Sequence, residues 1–277
     1  MAVYVKRNEF SFQGKNRMQK KNAFLQALIN QLSKAAFIAS CVIPHQATAG
    51  TMGPVTEQPT WAWVGTLSAG PVWQDGGTTQ TFYLTPDIEK TYTANNSSNA
   101  VFDGEVFLGL QKRLSQALQV QLGLAVAATS NATLSGDIWD DADHEFNNYT
   151  YNYKIQHTHV AAKGKLLADT GFWLIPWVSA SLGVGFNDTH GFHSTPTIFE
   201  ALPTPDFSSH TQTALTYTVG AGVQKALNQH WQVGVGYEFA DWGKSNLGRA
   251  TEQTLNSGLG LNHFYTNGVL FNLTYLA

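Results

Sequence analysis

A single cysteine, Cys41, rules out a disulfide framework. No run reaches the 18 or more apolar residues of a membrane-spanning helix, and mean hydropathy is only −0.17. Charge is scarce as well: Asp, Glu, Lys and Arg make up 13% of the chain, against about 25% in ordinary soluble domains. Basic residues are scarcest in the body of the chain. Residues 1–49 hold Lys6, Arg7, Lys15, Arg17, Lys20, Lys21 and Lys34 against one acid, Glu9, so residues 50–277 carry a formal charge of −9. An acidic body lacks the basic footprint of a nucleic-acid binder. Glycine-rich phosphate loops, metal-spaced Cys/His sets and catalytic serine motifs are absent too.

What the chain does have is aromatic residues (12%), 25 glycines and alternation. The stretch Val101–Thr129, VFDGEVFLGLQKRLSQALQVQLGLAVAAT, is two alternating runs joined by the turn Leu114–Ala117. Phe102, Val106, Leu108 and Leu110 share one strand face, and Asp103, Glu105, Gln111 and Arg113 share the other, because successive side chains point to opposite faces. Leu118, Val120, Leu122, Leu124 and Val126 repeat the pattern. A secreted β-sandwich and a barrel in lipid both fit the composition. Run length separates them, since globular strands average roughly five or six residues and a tilted membrane strand needs roughly 9–11.

The hairpin recurs. Strands are expected at about 61–73, 101–113, 118–129, 149–166, 173–186, 211–225, 231–242 and 264–277. Polar loops are expected over 74–100, 130–148, 187–210 and 243–262, and short turns at 114–117, 167–172 and 226–230. Long and short connections therefore alternate, the asymmetry of an outer-membrane barrel. The fold expected is all-β: an eight-stranded antiparallel up-and-down transmembrane β-barrel with short periplasmic turns and four long extracellular loops. Residues 1–49 read as an N-terminal extension and secretory signal. Lys34 precedes the apolar Ala35–Ile43, and Ala47-Thr48-Ala49 offers a cleavage site before Gly50. Met18 is an alternative start, and Cys41 an alternative lipidation site. The barrel is expected over 50–277.

The segments WVGTLSAGPVW, GEVFLGLQKRL, SASLGVGFN, VGAGVQKALNQHWQVGVGYEFADWG and TNGVLFNLTYLA resemble the OmpA-like, porin-type outer membrane β-barrel superfamily in pattern over residues 60–277. The resemblance implies insertion in a Gram-negative outer membrane, with outer-membrane lipid and lipopolysaccharide as surroundings. It also implies recognition of the C-terminal strand by the barrel assembly machinery, although the terminal aromatic of the family is here followed by Leu276 and Ala277. The periplasmic peptidoglycan-binding domain of full OmpA proteins is not expected, since the resemblance covers the barrel part alone. The expected role is structural, with surface contact to a host or envelope ligand through the loops. A small porin is the alternative, and a lipid-modifying enzyme the third reading. No cofactor and no nucleic-acid partner are expected.

An eight-stranded barrel is just wide enough to be filled by its own side chains. Asp103, Glu105, Arg113, Lys163, Lys165 and Glu238 are expected inside it as an ion network, with Glu105 and Glu238 paired to Lys163, since buried charges are costly unless paired. The network reads as a packed plug, with a gate or an active site as alternatives. Trp63, Trp73, Tyr217, Trp231, Tyr237, Phe239, Phe264 and Tyr275 are expected as aromatic girdles. His157, His159, His193 beside Ser194, and His263 are candidate catalytic groups in name, read instead as loop or girdle histidines for want of a placed acid and nucleophile. Asp137, Asp140, Asp141, Asp143 and Glu145 form an acidic loop with a weak Ca²⁺ pattern, lacking the spacing and glycine of a dedicated site.

Overall fold

In the computed structural model, described over residues 61–95, 99–201 and 204–277, the strands are, in chain order, β1 (Ala62–Gln74), β2 (Gln80–Thr85), β3 (Ile88–Tyr92), β4 (Ala100–Arg113), β5 (Leu118–Thr129), β6 (Ala132–Asp140), β7 (Asn147–Ala168), β8 (Ile175–Pro196), β9 (His210–Ala226), β10 (Trp231–Asp241), β11 (Ser245–Asn246), β12 (Gly260–Leu261) and β13 (Tyr265–Leu276). The signal reading of 1–49, Met18, Cys41 and the leader 51–60 lie outside the described residues.

Antiparallel ladders join β1 to β4, β4 to β5, β5 to β7, β7 to β8, β8 to β9, β9 to β10, β10 to β13, and β13 back to β1. The ring has no free edge. It is an eight-stranded β-barrel. Short turns (114–117, 169–174, 227–230) gather at one end, and the long connections (75–99, 130–146, 197–209, 242–264) at the other.

The long connections are more structured than their polar composition suggests. Residues 74–100 hold the β2–β3 hairpin. Residues 130–148 hold β6, which pairs with the far half of β7 and with β3. Residues 187–196 are the continuation of β8, a strand of 22 residues like β7. In 243–262 the two-residue pair β11–β12 forms, and Ala250 makes a single antiparallel bridge to Phe207. The extra strands extend the wall of the barrel beyond the ring on the long-loop side.

Two cores follow from this. Within the ring the outside is apolar: Val160, Ala162 and Leu166 on β7 and Val178, Leu182, Val184 and Phe186 on β8 are all exposed. Beyond Val160 and Phe186 the outward positions turn polar (Thr158, Gln156, Lys154, Asn152; Asp188, His190). Inward positions change in the opposite sense. On β7 they run from Lys165, Lys163, His159 and His157 to Ile155, Tyr153, Tyr151 and Tyr149. These apolar residues pack with Tyr92, Phe192, Phe207, Trp242 and Phe264 into the main hydrophobic core. One strand thus serves an inside-out half and a conventional half.

Candidate functional site: the filled lumen and the long-loop end

Glu105 sits on β4, Lys163 on β7 and Glu238 on β10, and the curvature of the ring turns all three inward. Lys163 Nζ donates to Glu105 Oε1 at 2.7 Å, to Oε2 at 2.8 Å and to Glu238 Oε2 at 3.2 Å. Asp103 is buried two residues from Glu105 on the same inner face of β4. Lys165 has a different partnership from the expected ion network. Its Nζ donates to Gln224 Oε1 at 2.7 Å and lies 4.4 Å from the centre of the Trp177 ring. Arg113 stands exposed at the turn end of β4, outside the cluster, because the strand has by then reached the rim.

Amides and hydroxyls fill the remaining cross-section. Gln224 donates to Gln232 (2.6 Å), Gln121 to Gln111 (2.7 Å), Gln111 to Gln119 (3.0 Å) and Gln119 to Asp169 (3.2 Å). Ser181 with Thr218 and Thr66 with Thr274 add hydroxyl pairs. Trp177 fits because Gly222 and Gly236 face it: a Cβ at Gly236 would lie 2.4 Å from the indole. Glu105, Gln121, Lys163, Lys165, Trp177 and Glu238 line a small cavity of about 30 Å³.

His157 and His159 are neither loop nor girdle residues. Both face inward and are buried, since odd-numbered β7 residues point to the lumen. His157 Nδ1 and Asn187 Oδ1 lie 2.7 Å apart, His157 Nε2 and His159 Nδ1 3.0 Å apart, and the His157 ring stacks on Trp242 at 4.6 Å. The pair caps the polar lumen where it meets the aromatic core. His193 is exposed, 3.7 Å from Asp206, and the Ser194 hydroxyl donates to the Thr204 carbonyl.

Outward aromatics form two belts. Trp63, Trp231 and Tyr275 lie toward the short-turn end, Trp231 edge-on to Tyr275 at 5.0 Å. Trp73, Tyr217, Tyr237 and Phe239 lie toward the long-loop end, all exposed. Phe264 does not belong with them. It is 1% exposed and packs edge-on against Trp242, one residue before β13 and on the side that the even residues of β13 bury.

The acidic stretch is dispersed. Asp137 and Asp140, three apart on β6, project to opposite faces. Lys90 Nζ meets Asp140 Oδ1 at 2.6 Å and Asn148 donates to Oδ2 at 2.7 Å, while Asp143 accepts from the Glu145 backbone N–H. Among the described residues no group of three or more His, Cys, Asp or Glu is gathered closely enough to hold a metal ion.

A second concavity opens at the long-loop end, about 740 Å³ in volume, between residues 75–80, Gln212 and residues 244–265. Sequence reading missed it because its walls come from two long connections and from β9, segments distant in the chain. His263, expected only as an isolated candidate, lines it, with Nδ1 2.8 Å from Asp241 Oδ2.

No protein-family model and no curated protein matches the chain. Among solved structures the chain is similar to Neisserial surface protein A (12% identity over 77% of this chain and 96% of that one, TM-score 0.40). It is also similar to the outer membrane protease OmpT from Escherichia coli (9%, 79% and 98%, 0.42) and the outer membrane protein OprG from Pseudomonas aeruginosa (11%, 78% and 98%, 0.43). The neighbours are outer membrane β-barrel proteins. The barrel fold itself rests on the closed ladder.

Proposed function

We propose that this chain is an outer-membrane β-barrel of a Gram-negative envelope whose lumen is closed and whose work is done at the surface by its long-loop end. The observation that carries this is the reversal of polarity along β7 and β8. Apolar side chains facing out around a hydrogen-bonded ring are stable only against lipid, while the polar exterior beyond Val160 and Phe186 suits water. The apolar band meets outer-membrane lipid, the aromatic belts lie at its two interfaces, and lipopolysaccharide surrounds the outer half. The assembly machinery reads β13, with Tyr275 as its terminal aromatic.

Closure of the lumen is supported by the Glu105–Lys163–Glu238 cluster, the glutamine chain and the aromatic core above them, which fill the cross-section with side chains. Loops and extensions on such a rigid frame are where binding residues normally sit, and a host or envelope ligand is the partner proposed there. The lumen ion cluster is structural in this reading, without catalysis.

Single-channel recording in a planar bilayer tests it. The full-length gene is expressed, and the protein is purified from outer membranes and checked for a heat-shifted gel mobility. The folded protein is expected to be silent. Steady ion-selective steps would transfer the assignment to a small porin, and recovery only from the soluble fraction would overturn the membrane location.

A further inference from the structure

The concavity at the long-loop end has the volume of a ligand site, about 740 Å³ against roughly 300–1,000 Å³ for pockets that hold small molecules. Its lining is unlike that of a drug-type pocket. Asp75 and Lys244 offset one another, and Gln212, Asn246 and Asn262 supply amides. A phosphate or sulfate would call for converging cations, and Lys244 is the one Lys or Arg in the lining.

The walls are held in place. Gln80 Nε2 donates to the Gly260 carbonyl at 2.7 Å and its Oε1 accepts from the Gly260 N–H at 3.3 Å, tying the first long connection to the last. The β11–β12 pair braces the same side. Phe239, Tyr265 and His263 form a column of rings, with centroids 5.8 and 5.3 Å apart and the last two parallel within 1°. The column begins at the exposed outer belt and ends in the pocket at His263. Asp241 holds the imidazole through Nδ1 and Tyr265 covers one ring face, so Nε2 and the other face are not taken up by these two partners in a residue that lines the cavity.

A fixed aromatic face beside amides, a carboxylate and an amine is what a sugar needs. Its C–H face packs on a ring, and its equatorial hydroxyls exchange hydrogen bonds with groups that both donate and accept. We propose that this pocket binds a neutral carbohydrate chain, seated on His263, the last ring of the column, and hydrogen-bonded by Asn262, Asn246 and Asp75. The inference deepens the surface-contact reading above and rests on it. Such a chain has two sources, the saccharide part of neighbouring lipopolysaccharide or a free glycan from outside.

Binding is measured on the full-length protein in detergent micelles. The probes are delipidated polysaccharide from the lipopolysaccharide of the expressing strain and an array of neutral oligosaccharides. His263→Ala and Asn262→Ala are compared with wild type and with Asn152→Ala on the outer wall of β7, each checked for heat-shifted mobility. Binding of either probe, weakened at least tenfold by both pocket variants and unchanged in Asn152→Ala, upholds the proposal, and the probe that binds identifies the source. A folded wild type that binds neither probe overturns it, as does binding that survives both pocket variants. Failure here with a silent lumen removes the glycan site alone. Glycan binding by a conducting protein removes the closed lumen alone.

Discussion

Lys163 is the residue on which the lumen depends most. It touches two carboxylates from different strands and is itself largely buried, with 10% of its side chain exposed. Replacing it with Met strands Glu105 and Glu238 in a site they cannot leave, and removing one partner of a buried ion pair costs about 3–5 kcal/mol. Lys163→Met is therefore expected to lower the midpoint of thermal unfolding, followed by loss of the heat-shifted gel band. Adding Glu105→Gln and Glu238→Gln to that variant should restore much of the loss. An unchanged midpoint in the single variant would show that the pairing carries no stability. The inward position of these residues was readable from alternation alone. That Lys165 turns to Gln224 and Trp177 was not, because the slot that admits the indole is made by Gly222 and Gly236 on other strands.

At the scale of the element, β7 and β8 explain where sequence reading stopped short. Alternation continues through Tyr149, Tyr151, Tyr153 and Ile155 with the same odd-inward parity as Lys163 and Lys165. The hydrophobic sign reverses instead, at His157. β7 is expected across the reversal, over 149–166, but a reader following apolar-outward residues loses β8 after Phe186, so Asn187–Pro196 reads as a polar loop, as does Ala132–Asp140. The reversal itself is the signal: period two persists while the faces exchange chemistry. The far halves of these strands have an apolar core of their own, as the proposed arrangement asks of a wall that stands in water. Burial holds the hydroxyls of Tyr92 and Tyr151 above the ordinary tyrosine range, with Asp140 adding to the first and Asp137 to the second. Tyrosine in the unfolded chain ionises near pH 10. Because the folded state keeps these protons longer, the stability they contribute is complete below about pH 10 and falls as pH rises above it. Thermal melts by near-UV circular dichroism at pH 8 and pH 11 should show this loss. Tyr151→Phe, which also gives up the 2.8 Å bond to the Thr93 carbonyl, should melt lower at pH 8 and lose less on going to pH 11. An equal loss in both proteins would exclude Tyr151 as a source.

For the whole molecule, the proposed arrangement is a single closed sheet standing in two solvents, and the boundary is sharp enough to be located residue by residue. Outward positions on β7 pass from Ala162 and Val160 to Thr158 and Gln156 within two turns of the pleat. The neighbouring strand changes one outward position later, since Val160 pairs with Val184, Thr158 with the still apolar Phe186, and Gln156 with Asp188. The lumen changes character there too, through His157 and Asn187. This near-coincidence is what the proposed lipid setting calls for: the exterior need be apolar only as far as a bilayer reaches, and beyond it the wall needs an apolar inside to stay folded in water. An arginine walked along the outside of β7 measures the boundary directly. On a lipid face the cost is about 2–4 kcal/mol near the bilayer midplane and falls to about 0–1 near the interface. Ala162→Arg should therefore lower equilibrium stability in lipid vesicles by a few kcal/mol, and Gln156→Arg and Asn152→Arg by almost nothing. In detergent micelles, which deform around a charge, the difference should shrink. A flat profile along the strand would mean that the apolar band does not face lipid. A cost extending to Asn152 would place the membrane around the aromatic core and undo the division into two halves.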